Sequence, residues 1–423
     1  MNLASRVDQY LRKRLAVGPW RLEGSSAGTY QGVVVIPALA EMDRLPLTLG
    51  DLADQDPAEL AVWGIVVVVN HRVDADPVLQ ENNRRTLHWL RNEPLGDRLN
   101  LFWVDAVSPG CELPERHGGV GMARKIGADL ALPLLSETGD PVLVYLDADT
   151  RVQPGYLKAI RRHFDSSALP AAVIPFRHQA GSSPEEEDAI CRYELMLRCY
   201  VFGLKQAGSP YAFHTVGSTM ACRVSAYLAI GGMNQRSVAE DFYFLQKLAK
   251  TGRGIGEVSG CVVFPSSRPS QRVPFGTGKA VMRQLAGEGS AGVYPLFLFR
   301  VLQDWLQLVA GHLSCSADEI LTNADRLEPV LGDFLRQNRW LDVWPRLQNN
   351  HRMSGRLLQA FHEWFDGLKT LRLLHHLEGD VLRPAAEVAV PELLAWGGLP
   401  PEEKIEAQLA ILRGEQNVPV EVS

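Results

Sequence analysis

Two aspartates separated by one residue follow a short apolar run in the middle of the chain. Asp147 and Asp149 come directly after Val142–Leu146. Carboxylates are costly to desolvate without a partner, and hard divalent cations prefer oxygen ligands. A cation held here can bridge the two phosphates of a nucleoside diphosphate and stabilise the diphosphate as a leaving group. The same aspartates can instead cap a turn or the next helix.

A second acidic pair, Glu240 and Asp241, begins a stretch with helical periodicity. Acidic side chains are favoured in the first turn of a helix, so capping is one interpretation of this pair. Upstream lie the small residues of Gly217–Cys222, which allow a backbone to approach a ligand closely. We therefore place Gly217, Ser218 and Glu240 on the acceptor side of a cleft. A carboxylate in such a cleft can act as general base toward a hydroxyl.

A third segment, residues 268–279, combines cations with prolines and glycines. Its cations are Arg268, Arg272 and Lys279. Cationic side chains and exposed backbone N–H groups suit a diphosphate. The alternative is a solvated loop that joins two domains. We expect at least one of the three cations to contact the diphosphate, in a lid that orders when the ligand binds.

Apolar strands and helical stretches alternate between residues 30 and 265. The strand-like runs are Val33–Ile36, Ile65–Val69, Leu99–Val104 and Val142–Leu146, with helical stretches over 45–52, 77–90 and 121–135 between them. This alternation predicts a doubly wound α/β sheet with right-handed crossovers. Ligands of such sheets bind beyond the carboxyl ends of the strands. The residues at those ends are Pro37, Asn70, Asp105 and Asp147.

Helical periodicity dominates after about residue 280, where strand-like runs are nearly absent. We predict helices over 295–313, 324–335 and 355–377. The predicted organisation is an N-terminal helix and connector over 1–29, an α/β domain over 30–280 and a helical C-terminal domain over 281–423.

The composition argues against several classes of protein. The formal net charge of −6 disfavours a general nucleic-acid binder, which is usually basic. No apolar run approaches the ~20 residues that span a bilayer, and no signal peptide is visible at the N-terminus. We expect a cytoplasmic protein without a transmembrane segment, and peripheral contact with a membrane stays open. The six cysteines form no CxxC pair and are expected to be reduced thiols.

Five motifs, in matching order over residues 30–280, resemble those of the family 2 glycosyltransferases with the GT-A fold. They are Val34–Glu41, Val67–Asn70, Gly119–Gly127, Asp147–Asp149 and Glu240–Asp241. The chain departs from the family pattern at three positions. Ala40 and Lys125 stand where asparagine is common, and at Asn70 one of the usual acidic contacts is missing.

The resemblance implies a GT-A-like domain that moves a sugar from a nucleotide-sugar donor to an acceptor hydroxyl with the help of a metal. It implies that Asp149 binds Mn²⁺ or Mg²⁺, that Asp147 faces the ribose and that Asp241 is the general base. Besides the cations of segment 268–279, the expected donor-binding residues are Pro37, Ala38, Glu41, Asn70, Arg124, Asp147 and Asp149.

The order of the motifs also predicts the stereochemistry. Asp241 comes from a later segment than Asp149, so it can form the opposite wall of the cleft, as an inverting displacement requires. The dipole of the helix that it begins keeps this carboxylate ionised. Two alternatives remain. A nucleotidyltransferase usually has a Gly-rich basic loop after the first strand, which Pro37–Glu41 lacks. A non-catalytic nucleotide-binding protein of the same fold gains some support from the departures from the family pattern, whereas the intact Asp147, Asp149 and Asp241 count against it.

Overall fold

The computed structural model describes residues 2–25, 28–92, 95, 98–251, 254–270, 276–287 and 292–414. Arg272, one of the three predicted loop cations, lies outside them. None of the helices in these ranges combines the length and the apolarity that crossing a membrane requires. The described residues divide into two compact units, one formed by 2–187 and 215–282 and the other by 188–214 and 283–414.

The strands are β1 (Leu22–Gly24), β2 (Gly32–Ala38), β3 (Trp63–Asn70), β4 (Asn100–Ala106), β5 (Val142–Tyr145), β6 (Arg151–Val152), β7 (Ala171–Val173), β8 (Met220–Arg223), β9 (Gly256–Glu257) and β10 (Val263–Phe264). Eight of them form one sheet in the order β1-β4-β3-β2-β5-β8-β7-β9, and β6 pairs with β10. The central strands β4, β3, β2 and β5 are parallel neighbours. Every residue of β2 and β3 is buried, as expected for strands covered on both faces.

The helices of the first part of the chain are α1 (Leu3–Arg14), α2 (Leu45–Ala53), α3 (Pro57–Leu60), α4 (Pro77–Asn92), α5 (Val120–Ala131), α6 (Tyr156–Ser166), α7 (Pro184–Gln206), α8 (Val224–Ala229), α9 (Glu240–Ala249) and α10 (Thr277–Leu285). The alternation of β2 to β5 with α2, α4 and α5 confirms the predicted α/β fold. The helix predicted over 121–135 extended too far, because α5 ends at Ala131 and a 3-10 turn over Leu132–Leu134 follows.

The strand β8 was not predicted. It lies antiparallel between β5 and β7, and its residues pair Tyr145 with Met220 and Val142 with Arg223. The segment consists of Met, Ala, Cys and Arg, so it lacks the β-branched run that identified β2 and β3.

The helices of the C-terminal part are α11 (Leu296–Gly311), α12 (Ala317–Leu327), α13 (Pro329–Gln337), α14 (Trp340–Asn350), α15 (Ser354–Trp364), α16 (Gly367–Glu378), α17 (Ala386–Trp396) and α18 (Ile405–Gly414). Two predicted helices were wrong in their bounds. The predicted helix over 324–335 is divided between α12 and α13 because Pro329 starts a new helix behind the cap Glu328. The predicted helix over 355–377 is divided because Asp366 caps α16 through the Lys369 N–H.

The second unit has its own apolar core. Most of α7 belongs to this unit, where Cys199 and Phe202 are buried in the same cluster as Phe299 and Trp305 of α11. A Cβ on Gly203 would lie 2.5 Å from the Phe299 ring, so a glycine lets the two helices approach closely. His214 is also buried here, and burial lowers its pKa to about 3.

Candidate active site

The two aspartates of the sequence motif lie directly beyond the carboxyl end of β5. Thr48 on α2 donates to the backbone oxygen of Ala148 over 2.9 Å, and the Gln179 amide donates to the backbone oxygen of Asp149 over 2.9 Å. These bonds hold the backbone between the two carboxylates. The neighbouring strand end, after β2, carries Glu41, which is buried.

Glu41 and Asp149 converge on one nitrogen of Arg268. The terminal NH2 of Arg268 donates to Glu41 Oε1 over 2.6 Å and to Asp149 Oδ2 over 3.1 Å, and it also contacts Glu41 Oε2. Asp149 and Arg268 both keep some exposure, whereas the Glu41 side chain is only 8 % exposed. The carboxylates from two different strand ends therefore meet at a single point of positive charge.

A second arginine joins the two acidic motifs. Arg124 projects from α5 and donates to Asp147 Oδ1 over 2.5 Å, and its other terminal nitrogen pairs with Glu240. The side chain is 2 % exposed. Burial would lower the pKa of this guanidinium, but Asp147 and Glu240 raise it, so the cation is retained. Arg124 was predicted to bind the donor, and the structure buries it as the link between the carboxylates of Asp147 and Glu240.

Two glycines make room for this link. A Cβ on Gly217 would lie 2.3 Å from an Arg124 nitrogen, and a Cβ on Gly121 would lie 2.5 Å from the backbone oxygen of Arg236. Ser218, beside Gly217, is fully buried. The structure therefore places Gly217 against Arg124 and buries Ser218, and their predicted contact with an acceptor stays a prediction.

Asp241 is the half-buried carboxylate next to this link. It lies in the first turn of α9, and its Oδ1 accepts a 2.7 Å bond from the Phe242 N–H. Burial, assisted by the charge of Glu240, raises the pKa of Asp241 to about 7, although Arg124 lowers it. Burial also raises the pKa of Glu240, again against the effect of Arg124. A carboxyl with a pKa near neutrality is suited to accepting a proton at physiological pH.

The donor-loop backbone is held by asparagines that the sequence did not identify. Asn83 on α4 accepts from the Ala40 N–H over 2.8 Å and donates to the backbone oxygen of Asn70 over 3.1 Å. Its neighbour Asn82 accepts from the Met42 N–H over 3.0 Å. Ala40 has a φ of 55°, a conformation that asparagine adopts more readily than alanine. Asn83 therefore holds the turn at Ala40, the position where asparagine is common in the family pattern.

The remaining predicted donor residues, and the strand-end residue Asp105, differ in their surroundings. Pro37 and Ala38 are the last residues of β2 and are buried. Asn70 is buried at the end of β3, and its Oδ1 has no hydrogen-bond partner among the described residues. Lys279 is exposed on α10. Asp105, at the end of β4, accepts from the Ser108 hydroxyl over 2.6 Å and from the backbone N–H groups of the turn that follows.

The carboxylates that follow β2 and β5 are of the ligand type that a divalent cation prefers. Within the described ranges, no group of three or more His, Cys, Asp or Glu side chains could hold a metal alone. Glu41 and Asp149, however, direct three carboxylate oxygens at one point. Hard divalent cations take such oxygens together with phosphate oxygens of a ligand. The two carboxylates therefore suit a divalent cation that binds together with a phosphorylated ligand.

A comparison with protein families identifies the chain. The family model described as glycosyl transferase family group 2 matches residues 142–364, which is just over half of the chain. The chain belongs to this family. It is accordingly a glycosyltransferase, and the resemblance predicted from the motifs is confirmed.

Solved structures resemble this glycosyltransferase only weakly. The S. aureus protein TarS 1-349, in complex with UDP-GlcNAc, is 15% identical with a TM-score of 0.39, and the alignment covers 91% of each chain. The mannosyltransferase PcManGT from Pyrobaculum calidifontis, in complex with GDP-Man and Mn2+, is 17% identical with a TM-score of 0.39 over 98% of this chain and 92% of that one. A search of curated proteins finds no match.

Proposed function

We propose that this glycosyltransferase moves a sugar from a nucleotide-sugar donor to an acceptor hydroxyl, with inversion and with the help of Mn²⁺ or Mg²⁺. The observation that carries the proposal is the Arg124 link. It joins Asp147, beside the donor-side carboxylates, to Glu240, beside the carboxyl with a pKa near neutrality. In this proposal, Arg124 connects the site of the leaving group to the segment that carries the base.

The donor side is formed by three strand ends. Asn70 offers an unsatisfied buried oxygen that a nucleoside can satisfy with an N–H or O–H group. Asp147 would face the ribose, and Asp149 with Glu41 would hold the cation. When bound, the cation supplies positive charge that stabilises the departing diphosphate. Arg272 and Lys279 are retained as candidates for contacts with the same diphosphate.

The acceptor side is formed by the start of α9. Asp241 removes the proton of the acceptor hydroxyl, and its pKa of about 7 lets it be ionised at neutral pH while still binding a proton effectively. Glu240 is committed to Arg124, so it positions the start of the helix. We assign it to orientation of Asp241 and the acceptor, and its loss should act mainly on KM.

Calorimetry of a nucleoside diphosphate, with and without Mn²⁺, tests the donor side. We expect Mn²⁺ to tighten binding at least about tenfold, which corresponds to about 1.4 kcal/mol. Asp149→Ala should lose this Mn²⁺-dependent gain because the variant removes a cation ligand. Asp54→Ala is the matched control, since Asp54 is exposed and pairs with Arg98 on another surface. An unchanged Mn²⁺ effect in Asp149→Ala would remove Asp149 from the cation site.

A further inference from the structure

We propose that Arg268 is an internal counter-ion that occupies the cation site of Glu41 and Asp149 and has to leave it when a divalent cation binds. The inference deepens the proposed function and rests on it for the role of the cation. It adds one assignment, namely Arg268 as the competitor of the cation at the Glu41 and Asp149 carboxylates.

Arg268 contacts the two carboxylates through a single nitrogen, as a point charge would. Arginine usually meets a carboxylate with two nitrogens in parallel, as a fork. Here one nitrogen meets both oxygens of Glu41 and one oxygen of Asp149. Three oxygens around one positive centre are the arrangement that a hard cation uses, at about 2.1 Å for Mg²⁺. A small contraction of the two side chains would turn the guanidinium site into a metal site.

One nitrogen of the guanidinium group lacks a hydrogen-bond partner among the described residues in this position. The Nε of Arg268 is buried and has no hydrogen-bond partner among the described residues. Leaving a buried donor unpaired costs free energy. A permanent structural ion pair would gain from a partner at this atom, so the arrangement favours a side chain that can be displaced.

The backbone on both sides of the site is anchored, so displacement requires only the side chain to move. Ser267, before Arg268, donates to the backbone oxygen of Ala180 over 2.9 Å, and the Ser270 N–H donates to the backbone oxygen of Gly278 over 3.2 Å. Glu41 accepts backbone bonds from the start of α2, and the Asp149 backbone is held by Gln179. The backbone that carries each carboxylate therefore stays in place when the arginine leaves, and only the side chains adjust.

The purpose of such a counter-ion follows from the charges. Two carboxylates that converge without a cation repel each other, and one of them lies in a largely buried position. Arg268 offsets this repulsion while the site holds no metal, and a doubly charged cation that arrives with a diphosphate replaces it. Free metal, which lacks the extra ligands of the diphosphate, competes less well.

Binding of Mn²⁺ alone to the full-length protein tests the proposal, with the spectrum of free aqueous Mn²⁺ measured by electron paramagnetic resonance. Arg268→Gln should bind Mn²⁺ at least about tenfold more tightly than the wild type, because the competitor is removed. Arg268→Met, which keeps the aliphatic stem, should show the same gain. Arg161→Gln is the matched control, since Arg161 pairs with the buried Glu59 elsewhere in the same unit.

Adding Glu41→Gln to Arg268→Gln should abolish the gain if Glu41 is a ligand of the cation. Equal or weaker Mn²⁺ binding in a folded Arg268 variant, checked by circular dichroism, would overturn the proposal. So would a gain of the same size in the Arg161 control. The measurement contains no nucleotide-sugar, so a failure of sugar transfer would count against the proposed function and leave this result standing.

Discussion

Asp241 is the residue whose environment bears most directly on the chemistry. Its carboxyl begins α9 next to Glu240, and both groups depend on one buried arginine. The first turn of a helix alone would keep the carboxylate ionised. Burial and the neighbouring acid oppose that effect and raise its pKa from 3.8 to about 7. The sequence indicated the position of this acid but not its titration, because the burial and the link to Arg124 come from segments far apart in the chain.

The activity of the wild type should therefore rise with pH through about 7, since only the ionised carboxylate accepts a proton. The measurement is kcat/KM between pH 5 and 9 at saturating Mn²⁺. Glu240→Gln should shift the acidic limb to lower pH, because it removes the acid that raises the Asp241 pKa. A wild-type profile that is flat between pH 5.5 and 8 would contradict the assignment of Asp241.

Stability should change with pH in the opposite sense. The folded state holds a proton on Asp241 up to about pH 7, whereas the unfolded chain releases it near 3.8. The stabilising contribution of the bound proton is thus present below pH 4 and is lost as pH rises toward 7. Denaturant unfolding of wild type and Asp241→Asn should diverge across that window, with the wild type losing stability relative to the variant.

Helix α4 is the element that holds the donor loop. Asn83 bonds the Ala40 N–H and the backbone oxygen of Asn70, so one side chain connects the ends of β2 and β3. Neither the periodicity nor the family motifs identify Asn83, because it lies within an ordinary amphipathic helix. Its role becomes visible only when the fold brings the helix beside both strand ends.

Asn83→Ala should remove the side chain that bonds the Ala40 N–H and the backbone oxygen of Asn70, and we expect the free energy of unfolding to fall by about 1–3 kcal/mol. The donor KM should rise more than kcat falls, since the loop rather than the base is disturbed. Asn92→Ala, on the exposed end of the same helix, is the control for helix propensity. Equal donor KM values in the two variants would show that the donor loop does not depend on Asn83.

The strands and helices were predicted correctly where the sequence pattern was strong. The β-branched runs of β2 and β3 identified buried parallel strands, and the periodicity of α2, α4 and α5 identified their crossovers. The strand β8 was missed because it is short and carries few β-branched residues. The breaks at Glu328 and Asp366 were missed because apolar periodicity continues across a helix boundary.

At the scale of the whole molecule, the chain forms two compact units rather than a linear series of segments. Residues 188–214 belong with the C-terminal helices, since the apolar side of α7 packs in their core. Sequence order could not reveal this grouping, because long-range packing decides it. The same is true of the site, where Arg124 brings together carboxylates 23 and 116 positions away. The sequence motifs identified these residues, but their ion pairs became visible only in the folded structure.

The stereochemistry of the transfer product is the most direct test of the account. A proton NMR spectrum recorded during transfer from a nucleotide-sugar of known anomeric configuration reports the anomer before it equilibrates. The account predicts inversion by the wild type and a 10²–10⁴-fold lower kcat in Asp241→Asn at similar donor affinity. A product with retained configuration, or a near-normal rate in Asp241→Asn, would contradict the assignment of Asp241 as the base of an inverting glycosyltransferase.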